Sequence, residues 1–530
     1  MIIHSKRIAI CICINIILFG GVLYLGNPIY NSGDDVFCLY QLAGGFGFEP
    51  TELVDYNYVL NPLLNIVVKN LFVIYPDINW YTWMLIVFHY IATTIILILI
   101  TREKANWKIL LIYGALFLVF EAQFLLGLSF TNTSIILTSA GILLLLSIQN
   151  KQSLLYELLC IGAFVFASLF RVYTLFPFVV LVLPFLFLYK KTMLPKFARI
   201  TIVGSILIIL LNQYHQSYYK RNIPNWAEKE QYRQILYKYF NHDGVYNIHI
   251  SGRETEIALI KYALLFDTVY LNSRKLKSIY KEISKKKSSN FEVFNVDTLK
   301  WFLINNRIYF FSILILIAFY TTERRVKITS LATCGLLGAE VLFLAMYMKL
   351  PGYILPGGAG LICWIILFYS KDDLKEEEPK FAILKLFLSF LLLFWATVRV
   401  YKVSKINKQY NIYFTNMAEE IIRNNNYLFV VQDNGFATDY FYVFDSPSKY
   451  KLKNILQGWQ NSDDVNIKIM RSYKINNVAD IPGSNDVLIW GKPVQALLNY
   501  FETTTGKKYC FSEPLKEFKY AEVRRLEECK

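Results

Sequence analysis

The chain has 530 residues, of which 55% are hydrophobic and only 18% charged, against about 45–50% and about 25% in soluble domains. That balance excludes a disordered chain, a collagen-like fibre and an ordinary soluble enzyme. The 55 Lys and Arg against 40 Asp and Glu leave a net charge of +15, an excess that belongs to loops flanking a membrane and not to a nucleic-acid footprint.

Runs near 20 apolar residues are long enough to cross the hydrocarbon core. The sequence predicts eleven, at roughly 8–26, 82–100, 109–127, 132–149, 154–170, 172–189, 198–213, 304–320, 328–348, 353–370 and 381–399. The first follows Lys6 and Arg7, is longer than a secretory h-region and lacks an A-x-A cleavage site, so it reads as an uncleaved span. When the spans alternate, Lys6/Arg7, Arg102/Lys104/Lys108, Lys151, Lys190/Lys191/Lys196/Arg199 and Arg324/Arg325/Lys327 fall on one side, with the acidic Lys371–Lys380. That side is then cytoplasmic and holds the N-terminus, and an odd span count leaves the C-terminus outside.

The predicted fold is therefore mainly α: a polytopic transmembrane helical bundle over 1–400, with external loops 27–81 and 214–303, followed by a small extracytoplasmic α/β domain over 401–530. In that tail Tyr427–Gln432 and Asp486–Trp490 read as strands buried on both faces, and Val494–Phe501 as helix. Cys510 and Cys529 lie in the tail and are able to pair if it is outside the cytoplasm. No internal repeat supports an inverted-repeat transporter. The absence of GxxxxGK[ST], GxSxG and HExxH argues against a nucleotide-driven pump, a serine hydrolase and a zinc protease.

The first external segment, GNPIYNSGDDVFCLYQLAGGFGFEP, places Asp34 and Asp35 a few residues beyond the first span. A carboxylate at the membrane surface meets the head group of a lipid-linked substrate, where it can take a proton from a hydroxyl or bind a divalent metal. The plainer alternative is a helix cap before Val36. Asn61–Pro62 opens an interfacial helix over Leu63–Ile74, and Tyr75–Trp83 is aromatic in the manner of a membrane interface. His89, in an apolar helix, reads as a packed residue. Arg171 interrupts FASLFRVYTLFPF near an outer span end, where it grips a phosphate or snorkels to the surface. Glu121 is placed to partner it. Glu340 lies mid-span, and Lys349 follows at the outer end before Tyr353 and Pro356, as a phosphate ligand or an anchor. In the large loop His242, Asp243, Arg253, Glu254 and Glu256 are the polar candidates, set either over a sugar acceptor or in a solvated cap.

The order of these features resembles the GT-C class of multi-span glycosyltransferases, which includes protein mannosyltransferases and lipid A aminoarabinose transferases. The matching pieces are the GDD loop, the Asn-Pro-Leu helix, INWYTW at Ile78–Trp83, SFTNTS at Ser129–Ser134, Arg171, and Lys-x-Pro-Gly-Tyr-x-x-x-Pro from Lys349. The resemblance implies a bacterial inner-membrane enzyme that moves a sugar from a polyprenyl-phosphate carrier to an extracytoplasmic glycan, lipid or protein, with inversion. It implies Asp35 as base, with Asp34 orienting the acceptor or joining Asp35 on a divalent cation such as Mg or Mn. Arg171 and Lys349 would face the departing phosphate, and Tyr353, Glu121, Asn61, His242 and Arg253 would line the substrate. Related enzymes carry an arginine next to the late tyrosine and a Pro-Pro-Leu helix start; here Lys349 stands apart from Tyr353 and the start is Asn-Pro-Leu. Two rival readings are a polysaccharide polymerase or ligase, with its chemistry at His242 or Arg253, and a flippase for lipid-linked glycans.

Overall fold

The computed structural model describes residues 2–54, 60–102, 107–148, 154–186, 188, 194–240, 250–262, 264–287, 300, 303–321, 323–347, 351–370, 379–432, 438–456 and 463–529. Its helices are α1 (Ile2–Leu25), α2 (Gly33–Ala43), α3 (Pro62–Ile74), α4 (Trp80–Ile100), α5 (Trp107–Leu116), α6 (Ala122–Leu126), α7 (Phe130–Ser147), α8 (Leu154–Arg171), α9 (Leu175–Leu186) and α10 (Leu194–Asn222). There follow α11 (Trp226–Phe240), α12 (Glu254–Lys261), α13 (Ser273–Lys287), α14 (Arg307–Phe319), α15 (Arg324–Tyr347), α16 (Ile354–Tyr369), α17 (Pro379–Arg423), α18 (Asp463–Ser472) and α19 (Gln495–Thr505).

Among the described residues eight helical runs are long and apolar enough to cross a membrane. The expected spans 154–170 and 172–189 form one such run, Leu154–Leu186, broken by a 3-10 turn at Val172–Thr174. Those expected at 304–320 and 353–370 are the shorter apolar helices α14 and α16. Side-chain caps open α3, α4 and α7. Asn61, with Pro62 behind it, accepts from Leu63 N; Asn79 accepts from Thr82 N, and Ser129 from Asn132 N. Within the bundle, polar side chains tie helices together: Asn15 Nδ2 donates to Thr94 Oγ1 at 3.0 Å, and Tyr113 OH to Asn15 Oδ1 at 2.8 Å.

The last apolar run does not stop at the membrane. Helix α17 has 45 residues, and at 1.5 Å per residue it is about twice as long as the hydrocarbon core is thick. Ser404 Oγ donates to Leu25 O, and Asn407 Nδ2 to Asn27 O and Leu126 O, so this part of α17 lies level with the end of α1. Its outer turns lead into a four-stranded sheet, order β4-β3-β5-β7, with strands Leu428–Val431 (β3), Ile455–Leu456 (β4), Val487–Trp490 (β5) and Val523–Arg524 (β7). β3 and β5 are parallel and buried along their whole length, the state expected of a sheet covered on both faces. Cys510, in Tyr509–Phe511 (β6), and Cys529, just beyond Leu526–Glu528 (β8), form a disulfide.

The buried side chains fall into two clusters. One fills the bundle and the segment that follows α1. The other joins α11–α13 to the tail: Ile235, Ile257 and Leu276 share it with Leu428, Ile489 and Leu497. These helices and the tail therefore bury their apolar faces together.

Candidate active site

After α1 the chain forms a two-residue strand, Ile29–Tyr30 (β1), parallel to Gly127–Leu128 (β2) in the connection between α6 and α7. This pairing brings the start of α2 against the start of α7. Tyr30 OH bonds Thr82 Oγ1 at 2.7 Å and accepts from Asn79 Nδ2 at 2.8 Å. Asn79 and Thr82 each also donate to Val443 O at 2.8 Å. The Thr82 proton is thus committed to the tail, and Tyr30 is the donor in its bond to Thr82.

The two aspartates of α2 have different surroundings. Asp35 is fully buried. Its Oδ1 accepts from Tyr81 OH at 2.8 Å and from Phe130 N at 2.9 Å, and its Oδ2 accepts from Ser32 Oγ at 3.0 Å. It holds α2, α4 and the N-terminus of α7 together. Burial pushes its carboxyl up to about 7, and the Phe130, Tyr81 and Ser32 donors oppose a larger rise. Asp34 is half-buried, and among the described residues nothing donates a hydrogen bond to its carboxylate or pairs with it. Burial raises its carboxyl above the usual range, and the Arg171 charge pulls it back.

Arg171 ends α8, where the backbone turns extended before the 3-10 turn. Its Nη1 donates to Thr131 Oγ1 at 2.6 Å, and its guanidinium lies 5.7 Å from the Phe130 ring centre and 5.8 Å from that of Tyr353. Its carbonyl accepts from Thr174 Oγ1 and Ser134 Oγ, which fixes the turn. Asp34, Arg171, Tyr353, Thr131 and Phe130 thus converge from four stretches of chain. A free carboxylate beside a cation framed by two rings can take up a proton and stabilise an anion at one place.

The other expected residues fall elsewhere. The expected Glu121–Arg171 pairing is corrected: Glu121 Oε1 lies 2.6 Å from His89 Nδ1 inside the bundle, both side chains being fully buried. Asn61 caps α3 through its Oδ1, which accepts from Leu63 N, and its Nδ2 donates to Leu211 O. Arg253 pairs with Glu256 and Glu282, each at 3.8 Å, on partly exposed turns of α12 and α13. Lys349 and His242 lie outside the described residues. The supports of Asp35, namely Tyr81, Ser32 and the Phe130 amide, were not anticipated as a group. Their sequence signal was the start of a helix at Ser129 and a hydroxyl three residues before Asp35.

A divalent cation on Asp34 and Asp35 fits poorly. Both oxygens of Asp35 already accept hydrogen bonds, and Arg171 stands beside Asp34. Among the described residues no group of three His, Cys, Asp or Glu side chains is placed to hold a metal.

No protein-family model matches this chain, and no curated protein matches it in sequence. Two crystal structures of ArnT from Cupriavidus metallidurans, one bound to undecaprenyl phosphate and one in the apo state, align with it. Each alignment covers 98% of this chain and 98% of the other, with 10% sequence identity and a TM-score of 0.42. At that identity no residue's role carries over from ArnT to this chain.

Proposed function

We propose that this chain is an integral-membrane glycosyltransferase that moves a sugar from a polyprenyl-phosphate carrier to the hydroxyl of a glycan, lipid or protein at the outer face of a bacterial inner membrane. The observation that carries this reading is the unengaged Asp34 carboxylate beside Arg171, on a helix that starts eight residues after the first span ends. A lipid phosphate held at the membrane surface would meet both groups.

Asp34 acts as the base, in place of Asp35. A base needs an oxygen within reach of the acceptor, and Asp35 is fully buried behind donors from Ser32, Tyr81 and Phe130. Asp34 takes the acceptor proton as the acceptor oxygen bonds to the anomeric carbon. The bond from that carbon to the phosphate oxygen breaks on the opposite face, so the configuration inverts. The departing phosphate gains negative charge, which Arg171 stabilises. Asp35 positions Asp34 by fixing the start of α2. The Cys510–Cys529 disulfide agrees with a tail outside the cytoplasm, and the basic connections with an N-terminus inside it.

The test supplies purified protein in detergent with a panel of polyprenyl-phosphate sugars and candidate acceptors, and follows release of the free carrier phosphate. Release by the wild type that is lost in Asp34→Asn and in Arg171→Ala supports the reading. Release that survives Asp34→Asn overturns the mechanism. Movement of lipid-linked sugar across vesicles without release favours the flippase.

A further inference from the structure

On the tail side of β1, a 3-10 turn over Thr438–Tyr440 packs against both α2 and the outer part of α17. The turn is pinned in place. Asn411 Nδ2 donates to Tyr440 O at 3.0 Å, Tyr442 bridges to Ile29 of β1, and Val443 N donates to Pro28 O at 3.3 Å. Three rings meet there. Tyr440 stacks on Phe414, with centres 5.1 Å apart and planes at 9°, and its centre lies 4.6 Å from that of Tyr410. Tyr410, three residues beyond the Asn407 contacts that mark the end of α1, is 45% exposed, so it leaves a ring surface open to solvent.

Asp439 is next to these rings. It is half-buried, and among the described residues no side chain pairs with it. Burial raises its carboxyl, and the Asp439 and Tyr410 groups add to the burial that raises the Tyr440 phenol. A half-buried carboxylate without a protein partner keeps its lone pairs for a ligand's hydroxyls. An open aromatic face beside a carboxylate and two phenols matches such a ligand chemically. The CH face of a pyranose stacks on a ring, while neighbouring sugar hydroxyls donate to the carboxylate and bond the phenols.

The geometry points to a saccharide-binding subsite at Asp439, Tyr410 and Tyr440 that holds a neutral or amino sugar of the acceptor. Its role in transfer rests on the glycosyltransferase reading; its binding of a sugar does not. Asp439 is the specificity-determining residue, because a fixed negative charge repels uronic and other acidic sugars. The pinning of the turn to β1 means that an acceptor held there is in register with α2, which carries Asp34.

The test is saturation-transfer NMR on the full chain in detergent, in an Asp34→Asn background to prevent turnover. The probes are cellotriose, chitotriose, mannotriose and trigalacturonate. At least one neutral or amino trisaccharide should receive saturation, Tyr410→Ala should weaken its binding about tenfold or more, and Tyr410→Phe should retain the stacked ring and most of the binding. Asp439→Asn should weaken the neutral sugar and admit trigalacturonate. Absence of transfer to every neutral or amino probe, or equal transfer to wild type and Tyr410→Ala, overturns the subsite. In the release assay with an intact Asp34, Asp439→Asn should raise the acceptor KM and leave the donor KM unchanged. If the wild type releases no carrier phosphate, the proposed function fails while the NMR result still decides the subsite.

Discussion

Two buried carboxylates, Asp35 in the first turn of α2 and Glu121 inside the bundle, meet burial in opposite ways. Asp35 collects three donors from three segments, two on Oδ1 and one on Oδ2. Glu121 sits in a π-helical turn, Phe117–Glu121, with His89 as its one described partner. Its Oε2 and the Nε2 of His89 have no partner among the described residues. The first arrangement uses a buried charge to fix where three pieces of chain meet. The second keeps two polar atoms unsatisfied in a medium where each is costly. On the reading proposed above, Asp35 positions the start of α2 and the adjacent Asp34, with no described hydrogen-bond partner, is the base.

The largest expected effect separates these neighbours. Asp34→Asn should lower the rate of carrier release by about 10²- to 10⁴-fold, the usual contribution of a general base, and leave the melting temperature in detergent unchanged. Because burial raises the Asp34 carboxyl, the wild-type rate should fall on the acid side at a higher pH than an ordinary carboxylate would give. A rate unaffected by the substitution, or lost only together with the fold, would return Asp34 to a structural role.

The inner pair should behave as a liability. His89→Leu alone leaves Glu121 buried without its partner and should cost about 3–5 kcal/mol. His89→Leu combined with Glu121→Leu removes all four polar atoms and should recover most of that loss. A double variant as unstable as the single one would show that the pair has partners beyond each other.

Much of this arrangement was legible before the structure. Apolar run length located the helices, and the two strand-like runs of the tail became β3 and β5. What the sequence hid was contact between distant residues. Asp34 and Asp35 are neighbours with the same side chain, and only the Phe130 amide and Tyr81, 95 and 46 residues from Asp35, set them apart. Glu121 and Arg171 both lie near expected membrane exits, so pairing them was a reasonable expectation. The helical phase of α4 instead turns His89 to Glu121, and the break after α8 turns Arg171 to Thr131. Asn61 shows the same limit, since a helix cap and a substrate ligand are indistinguishable until both ends of the amide are traced.

The smallest effect tests the supports of Asp35 directly. Asp35→Ala strands the Phe130 amide and the Tyr81 hydroxyl, at about 1–3 kcal/mol each. Asp35→Asn keeps an acceptor for both and should cost less. The two variants also differ from the wild type in their response to pH. The folded Asp35 carboxyl lies at about 7, above the value of about 3.9 in an unfolded chain. The native state therefore holds a proton that the unfolded state has released. This contribution to stability is complete below about pH 4 and is lost as pH rises through 7. Between pH 6 and pH 7.5 the wild type should lose about 1 kcal/mol from this group, while Asp35→Asn loses only what other groups contribute. Melting curves of both proteins across that window would show converging stabilities as pH rises. Parallel curves would mean that Asp35 stays ionised throughout, with its three donors outweighing its burial.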